Sequence, residues 1–251
     1  MTDARSVELR DALARVEERI VAACSASGRD RGDVQLVVVT KFFPVEDVRR
    51  LLALGVTDVA ENKAQEASAK LERLTADERA ALTVHFVGQL QTNKARQVAA
   101  WADVVHTVDR ARLVAALDRG AEQAGRDLDV LLQVDLDAPG EADEQGHADG
   151  GHRASGSRGG APADGIPALA DEVGRAEHLE LRGVMAVAPR DGDPERAFAA
   201  LARVADGVRS AHPRATLVSA GMSGDLEQAV AHGATHLRVG SAILGPRPAP
   251  R

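Results

Sequence analysis

Aromatic residues and cysteine are scarce in this chain of 251 residues, and tyrosine is absent. Aromatic side chains make up 2% of the chain, and Cys24 is the single cysteine. Proteins that recognise single-stranded nucleic acid need aromatic platforms for base stacking, so this class is disfavoured. One cysteine excludes a disulfide framework within the chain and a metal cluster built on thiolates. We expect Cys24 to be a small buried residue of a helix.

An acidic charge balance and the lack of long apolar runs exclude two further classes. The chain has 31 Lys and Arg against 38 Asp and Glu, a formal net charge of -7. Such a chain is unsuited to nucleic acid or an anionic membrane surface as its main partner. No apolar run approaches the roughly 18 residues of a membrane span, and the polar start, Met1 to Arg5, lacks the apolar segment of a signal peptide. We expect a cytoplasmic protein.

Short apolar runs alternate with helical periodicity along the chain. Runs rich in β-branched residues predict strands at 35–40, 57–60, 83–88, 103–107, 129–135, 180–187, 215–219 and 235–240. Helical patterns lie at 6–27, 44–54, 62–73, 92–100, 109–125, 165–177, 193–211 and 223–231. Strands joined by helices pair in parallel, and eight such units close a barrel. We predict an α/β fold, a single (β/α)8 TIM-type barrel domain over residues 1–251 with an additional N-terminal helix. An open doubly wound sheet is the alternative.

Two parts of the chain depart from this repeat. After the last predicted strand only Ser241 to Leu244 remain before Gly245-Pro246, which ends any helix. We therefore expect the N-terminal helix to cover part of the gap left by a missing eighth helix. Residues 137–164 are rich in Gly, Ala, Asp and Ser and lack periodicity, which predicts a disordered loop after strand 5. His147 and His152 fall within it, but a solvated loop explains them without a metal, and we assign none.

The first predicted strand ends in a lysine. The run Leu36-Val37-Val38-Val39-Thr40 leads directly into Lys41, one of four lysines in the chain. Arginine is the usual cation of this sequence, and its pKa above about 12 prevents it from acting as a nucleophile. Because the chemistry of a barrel lies at the carboxyl ends of its strands, Lys41 is the candidate nucleophile. A solvated lysine at a strand end is the alternative.

Two segments that follow predicted strands 7 and 8 are rich in glycine and serine, namely 219–223 and 238–241. The loops after these strands commonly bind phosphate in TIM barrels, through backbone N–H groups at a helix start and through hydroxyls. Ordinary turns with an N-cap serine would explain either segment alone. A reactive amine combined with a phosphate site indicates a phosphorylated aldehyde, for which we predict pyridoxal 5'-phosphate (PLP). A Schiff-base aldolase acting on a phosphorylated sugar would use the same two features.

Seven segments of the chain resemble the pyridoxal phosphate homeostasis protein family. The barrel of that family is similar to the N-terminal domain of alanine racemase, fold type III. The matching segments are 39–44, 61–66, 85–94, 106–109, 183–186, 219–225 and 238–245. Each segment alone is a weak signal for the family. All seven occur in family order along nearly the whole chain, so together they are a specific signal.

The resemblance implies roles for individual residues. It implies that Lys41 forms the Schiff base with PLP, that Asn62 and His85 neighbour the ring, and that Arg238 faces the pyridine nitrogen. The phosphate would be bound by Ser219, Gly221, Met222, Ser223, Gly240 and Ser241. Arginine keeps its proton, so it leaves the ring a poorer electron sink. A hydrogen-bonded core position for His85 and a salt bridge at the rim for Arg238 are the alternatives.

The chain also departs from what the resemblance implies at several positions. Lys63 stands where the family often has tyrosine, and Arg158-Gly159-Gly160 stands where a motif containing lysine is common. Lys94 opens a predicted helix and is expected to be a residue of the rim.

The same resemblance implies a carrier rather than an enzyme. Alanine racemase uses a second acid/base group, a tyrosine from a separate β domain of its partner subunit, whereas this chain has no tyrosine. We expect a monomer that binds PLP for vitamin B6 homeostasis, buffering it or delivering it to apo PLP-dependent enzymes with little catalysis of its own. A weak PLP-dependent amino-acid racemase is the alternative.

Overall fold

The computed structural model describes residues 3–136, 159–189 and 192–247. Eight parallel strands form a closed barrel in chain order, so the predicted (β/α)8 architecture is confirmed and the open sheet is excluded. β1 pairs with β8, with Gln35 beside His236 and Val38 beside Val239, which closes the barrel. The strands are β1 (Gln35–Val39), β2 (Asp58–Glu61), β3 (Thr83–Phe86), β4 (Val104–Val108), β5 (Leu128–Gln133), β6 (Leu179–Met185), β7 (Leu217–Ser219) and β8 (His236–Val239).

Ten α-helices of the described residues surround these strands. They are α1 (Ala4–Ala26), α2 (Val45–Ala53), α3 (Ala64–Leu71), α4 (Ala76–Ala80), α5 (Ala95–Ala99), α6 (Ala111–Ala124), α7 (Ile166–Gly174), α8 (Pro194–Ala211), α9 (Leu226–Ala231) and α10 (Ser241–Leu244). Within the described ranges, no helix combines the length and the apolar composition that crossing a membrane requires.

The extra helix α1 buries one side and packs beside the short last unit. Its buried residues, Leu9, Ala12, Val16, Ile20, Ala23 and Cys24, recur at helical spacing. Arg19 pairs with Glu227 of α9 at 2.7 Å, and Arg5 Nη2 donates to the carbonyl of Leu244 in α10 at 2.9 Å. Since α10 has only four residues, α1 covers part of the gap, as the sequence predicts. The prediction of a buried Cys24 is also confirmed.

Buried apolar side chains form a large layer between the strands and the helices and a small cluster in the lumen. In the large layer Val38 and Val84 of the strands share a cluster with Leu51, Leu117 and Phe198 of the helices. Each such side chain contributes about 1.5–3 kcal/mol when it is fully buried. The smaller cluster contains Val104, Leu131 and Met185. The lumen also contains polar side chains, among them Arg238, Ser219, His106 and His85, which belong to the candidate site.

The structure corrects two boundaries that matter for the site. Residues 159–164 are ordered rather than part of a disordered loop, because Ala161 bridges to Val134 and its N–H donates to the carbonyl of Gln133 at 2.8 Å. The rest of the predicted loop, from 137 to 158, lies outside the described residues, together with His147, His152 and Arg158. The helix predicted at 223–231 begins only at Leu226, since residues 223–225 form a turn.

Candidate functional site

Strand register brings the candidate lysine next to the other predicted groups at the carboxyl end of the barrel. Val39 pairs with Ala60 of β2, and Val38 pairs with Val239 of β8. Lys41 lies two residues beyond Val39, and Asn62 and Gly240 follow the ends of the two strands paired with β1, so all three belong to the carboxyl end of the barrel. Lys41 is half-buried, whereas Thr40 before it is fully buried. The candidate amine therefore lies at the mouth, after the strand between those that lead into two predicted binding segments.

Phe42 holds an uncommon backbone conformation directly after Lys41. Its φ is 71°, the one positive value at a non-glycine position among residues 3–136, 159–189 and 192–247. Such a conformation is strained for a bulky residue and persists only when its surroundings enforce it. Here the Phe42 N–H donates to Glu66 Oε1 at 2.6 Å, and Arg247 Cζ lies 3.9 Å from the ring centroid. The strained turn fixes the direction in which the chain leaves Lys41.

Cations collect around the same ring. Lys63 Nζ lies 5.3 Å and Lys41 Nζ lies 5.8 Å from the Phe42 centroid, in addition to the guanidinium of Arg247. Cations within about 6 Å of an aromatic ring are attracted to its face. Three positive groups at the mouth of an otherwise acidic protein create a local field that favours an anionic ligand.

The two glycine- and serine-rich segments meet at the carboxyl ends of β7 and β8. Gly221 has φ of 87°, and a β-carbon there would lie 2.6 Å from Ala229 Cβ and 2.8 Å from Leu237 Cδ2. A β-carbon at Gly240 would lie 3.2 Å from the Val39 carbonyl oxygen. Between the segments, Ser223 Oγ lies 3.3 Å from Ser241 Oγ. Close packing therefore requires glycine at position 221 and favours it at 240, and the two hydroxyls beside them are donors that suit a phosphate dianion.

Two details of this phosphate prediction need correction. Because α9 begins at Leu226 and has six residues, the segment 221–225 is a turn, so the argument from a helix N-terminus does not apply. The Met222 N–H donates to Asp225 Oδ1 at 2.6 Å, so in this structure it is already engaged. Ser219 is fully buried, and its hydroxyl faces the lumen instead of the turn. A phosphate role for Ser219, Gly221, Met222, Ser223, Gly240 and Ser241 stays a prediction.

Arg238 is a buried cation of the lumen. It is 5% exposed, with Nη1 donating to Ser219 Oγ at 2.6 Å and Nη2 donating to the Ala186 carbonyl at 2.8 Å. Among the ion pairs of the described residues none involves Arg238, so the alternative of a salt bridge at the rim is wrong. Burial lowers the pKa of Arg238 to about 10. It therefore still carries its proton at neutral pH, with guanidinium N–H groups left over for a ligand.

Two histidines continue from Arg238 across the barrel. His106 Nδ1 lies 2.9 Å from Ser219 Oγ, and His106 Nε2 lies 2.8 Å from His85 Nδ1. His85 Nε2 lies 3.0 Å from Asp58 Oδ1 at the start of β2. Since β4 and β7 are not neighbours in the barrel, the contact of His106 with Ser219 must cross the lumen. Both nitrogens of His85 are engaged in the interior, and its place beside a ligand ring stays a prediction.

Burial and hydrogen bonding set the protonation of these groups. Burial, together with the charges of His85 and Arg238, lowers the pKa of His106 well below its ordinary value. Burial raises the pKa of Asp58, but the hydrogen bonds from His85 and Thr57 outweigh it and leave that pKa below the usual value. The lumen therefore contains a neutral His106 between a cation, Arg238, and a carboxylate, Asp58.

A buried ion pair supports the strand end that precedes Lys41. Lys70, 7% exposed, donates from Nζ to Glu61 Oε1 at 2.5 Å and to the Thr40 carbonyl at 2.9 Å. The Thr40 hydroxyl donates to the same Glu61 oxygen at 2.7 Å, whereas Glu61 Oε2 is buried with no hydrogen-bond partner among the described residues. Burial raises the pKa of Glu61. Lys70 is thus a structural lysine, although its sequence neighbourhood is that of an ordinary surface helix.

Asn62 lies at the edge of a cavity of about 430 Å³. Lys63, Gln89, Gln91 and Lys94 also line this cavity. Asn62 Oδ1 is buried and has no hydrogen-bond partner among the residues that the structure describes. An orphaned acceptor next to the mouth is consistent with a ligand neighbour, as predicted for Asn62, and Lys94 lies at the rim as expected.

The comparisons with known proteins agree with this geometry. The family model of the alanine racemase N-terminal domain matches residues 13–248. A protein of Mycobacterium tuberculosis named pyridoxal phosphate homeostasis protein is 41% identical over an alignment of 259 positions. The alignment covers 97% of this chain and 94% of that protein. This chain belongs to the pyridoxal phosphate homeostasis protein family. A member of the same name from Escherichia coli is 31% identical over 238 residues, 94% of this chain and 95% of its own.

Solved structures extend the family comparison to three dimensions. PipY of Synechococcus elongatus with PLP bound is 31% identical, with a TM-score of 0.72 and coverage of 92% of this chain and 100% of its own. An unknown protein from Bifidobacterium adolescentis is 30% identical, with a TM-score of 0.83 and 97% coverage of both chains. Alanine racemase of Corynebacterium glutamicum is 16% identical with a TM-score of 0.65, and this chain covers 62% of it. That last likeness concerns the fold alone.

Metal binding receives no support from the described part of this family member. Residues 3–136, 159–189 and 192–247 contain no cluster of three or more His, Cys, Asp or Glu that could hold an ion.

Proposed function

We propose that this member of the pyridoxal phosphate homeostasis protein family binds PLP as a Schiff base on Lys41 and buffers it or delivers it to apo enzymes. The observation that carries the proposal is the place of Lys41 after β1, the strand between β2, which leads into Asn62, and β8, which leads into Gly240. The orphaned Asn62 oxygen and the adjacent hydroxyls of Ser223 and Ser241 suit such a ligand. The structure of PipY with PLP bound, a relative at 31% sequence identity, supports PLP as the ligand.

Each group of the site has a stated task in this proposal. When bound, PLP supplies an aldehyde and an electron-withdrawing ring. Lys41 would supply the amine for a Schiff base with that aldehyde, whose oxygen would leave as water. The hydroxyls of Ser223 and Ser241, with the backbone N–H groups beside them, donate to the phosphate. Arg238 donates a free guanidinium N–H to the ring nitrogen.

Little catalysis is part of the same proposal. The pKa of Arg238 is about 10, so Arg238 keeps its proton at neutral pH. The ring nitrogen of PLP would therefore receive a hydrogen bond rather than a proton. The chain has no tyrosine that could serve as a second acid/base group. We propose a cytoplasmic monomer, whose size light scattering of the purified protein measures. Exchange of the α-hydrogen of alanine in D2O at about 1 s⁻¹ or faster would instead favour the racemase alternative.

Borohydride reduction tests the Lys41 assignment. The reduced protein should carry one pyridoxyl group on the peptide that contains Lys41, and Lys41→Ala should lose both this label and the visible absorbance. Lys94→Ala is the matched control, because it removes another lysine of the mouth region and should keep the label. Labelling of Lys41→Ala at the level of the unmodified protein contradicts the assignment.

Two further measurements test the phosphate site and the delivery. Pyridoxal, which lacks the phosphate, should bind far more weakly than PLP, since each hydrogen bond to a charged group contributes about 1.5–3 kcal/mol. Equal affinities contradict a phosphate role for the two segments. For delivery, an apo PLP-dependent enzyme should recover activity when it is mixed with the loaded protein in the absence of free PLP. Recovery should be slower when an equal concentration of Lys41→Ala replaces the loaded protein.

A further inference from the structure

One hydrogen-bonded chain of side chains joins the mouth of the barrel to its amino-terminal end. It consists of Arg238, Ser219, His106, His85 and Asp58, and we call it the interior chain. The heavy-atom distances along it are 2.6, 2.9, 2.8 and 3.0 Å. Arg238 is the third residue of β8, near the mouth, whereas Asp58 is the first residue of β2. The chain therefore connects the proposed ligand site to groups that no ligand in that site would touch.

The donor and acceptor chemistry gives this chain a direction. A guanidinium only donates, so Ser219 Oγ accepts from Arg238. The hydroxyl hydrogen of Ser219 then points to His106 Nδ1, which leaves the hydrogen of a neutral His106 on Nε2. That N–H donates to His85 Nδ1, and the hydrogen of a neutral His85 on Nε2 donates to the Asp58 carboxylate. Every hydrogen points from the cation towards the anion, and each group has a partner.

Adding one proton to the histidines destroys this pattern. A charged His85 donates from both nitrogens, so His106 Nε2 must accept and its own hydrogen must move to Nδ1. Ser219 Oγ would then receive hydrogens from both His106 and Arg238. Its own hydrogen would have no acceptor in the interior chain, which is costly for a buried hydroxyl. The direction of the chain therefore depends on its protonation state.

Neighbouring strands contribute charges that face these histidines. The ring of His236 in β8 lies 6.2 Å from that of His85, and the pKa of His236 is lowered to about 4, chiefly by burial. Asp129 of β5 and Arg182 of β6 form a pair at 3.4 Å. With Asp58 and Arg238, these are the titratable groups whose charges act on the two histidines. Burial and the charge of Arg238 disfavour a charged His106, and with both rings neutral the chain carries charge only at its two ends.

We propose that Ser219, His106, His85 and Asp58 are positioning residues that hold the Arg238 guanidinium as an oriented donor to the ring nitrogen of the ligand. This inference rests on the proposed function for the identity of the ligand. Because Arg238 has no carboxylate partner in the described structure, the aligned hydrogen bonds are what connects its buried charge to a counter-charge. Loss of Asp58 or protonation of the histidines loosens Arg238 without changing any residue at the mouth.

Histidine NMR of the ligand-free protein tests the direction of the chain without PLP. At pH 7 the ¹⁵N shifts of His85 and His106 should show two neutral rings, each with its hydrogen on Nε2. Variants His85→Gln and His106→Gln assign the signals. A hydrogen on Nδ1 in either ring, or a charged ring, would overturn the proposal even if the protein binds PLP as proposed.

Ligand affinity tests the link to Arg238. Asp58→Asn should weaken PLP binding by about tenfold, in line with a hydrogen bond to a charged group. It should leave unchanged the affinity for 1-deaza-PLP, in which carbon replaces the ring nitrogen. Asp129→Asn is the matched control, since it removes another carboxylate near His85 that makes no hydrogen bond to the interior chain, and it should affect PLP and 1-deaza-PLP alike. Equal weakening by both variants, or equal weakening for both ligands, would overturn the proposal. Absence of any PLP binding to the unmodified protein would instead refute the proposed function.

Discussion

The guanidinium carbon of Arg247 lies 3.9 Å from the centroid of the Phe42 ring. Phe42 follows Lys41, and Arg247 follows the last helix, so this contact brings the end of the described chain over the mouth of the barrel. Arg247 thereby adds a positive charge to those of Lys41 and Lys63 around the same ring. The charge of the mouth is thus opposite in sign to the net charge of the protein, -7.

Removing this charge should slow the capture of an anionic ligand. We predict that Arg247→Gln lowers the association rate of PLP by about two- to threefold at low salt, and that the difference disappears near 1 M salt, where the Debye length is about 3 Å. Stopped-flow absorbance measures both rates. Arg175→Gln is the control, because this side chain is 71% exposed and lies after α7, away from the Phe42 ring. A difference that persists at high salt would show that Arg247 acts by contact instead of by charge.

Gly221 should be the least replaceable residue of the phosphate segments. Its φ of 87° and the 2.6 Å approach of Ala229 Cβ both penalise a side chain, whereas Gly55 has φ of 88° and no atom within 4 Å. Gly55→Ala should cost about 1 kcal/mol of unfolding free energy from backbone conformation alone. Gly221→Ala should cost about 1–3 kcal/mol more, because packed neighbours must move. Urea unfolding of both variants measures the difference, and equal losses would show that the Gly221 neighbourhood relaxes freely.

Periodicity predicts the barrel because each strand of a parallel barrel is buried on both faces and reads as a short apolar run. The same run hides which face each residue occupies. Thr83-Val84-His85-Phe86 and Val104-Val105-His106-Thr107 both contain a histidine, and alternation along the strands directs both histidines into the lumen. The sequence could therefore suggest that they meet, but their link to Ser219 crosses the barrel between strands far apart in the chain. Such a contact depends on the closure of the barrel, which local sequence patterns do not reveal.

Lys70 and Ser219 show the other limit of sequence reasoning. Lys70 sits in a helix of mixed polarity and looks like a solvated residue, yet it is 7% exposed because it reaches under Thr40 to Glu61. Ser219 belongs to a segment whose other members form an open turn, yet it is the last residue of β7 and points inward. The direction of each side chain follows from the strand end and not from the composition of the segment.

His236 should make stability sensitive to mild acid. Its pKa is lowered to about 4 by burial, compared with about 6.5 in an unfolded chain. The unfolded state therefore binds more protons between these values, and stability falls as pH decreases from about 6.5 to about 4, by up to about 3 kcal/mol. His236→Gln should flatten this part of the profile, and His178→Gln, at a more exposed position, should not. Urea midpoints across pH 4–7 measure the slopes, and parallel profiles for His236→Gln and the unmodified protein contradict the assignment.

Breaking the buried pair beneath Lys41 should destabilise the fold more than removing it altogether. Lys70→Met leaves the Glu61 carboxylate buried without its cation and should cost about 3–5 kcal/mol of unfolding free energy. Adding Glu61→Gln removes the orphaned charge and should recover a substantial part of that loss, so the two changes should not be additive. Lys94→Met, at the rim, is the control and should change stability by less than about 0.5 kcal/mol. Urea unfolding measures all four proteins at pH 7. Additive losses in the double variant would show that Lys70 and Glu61 stabilise the strand end independently, through Thr40 and through packing, and not as a pair.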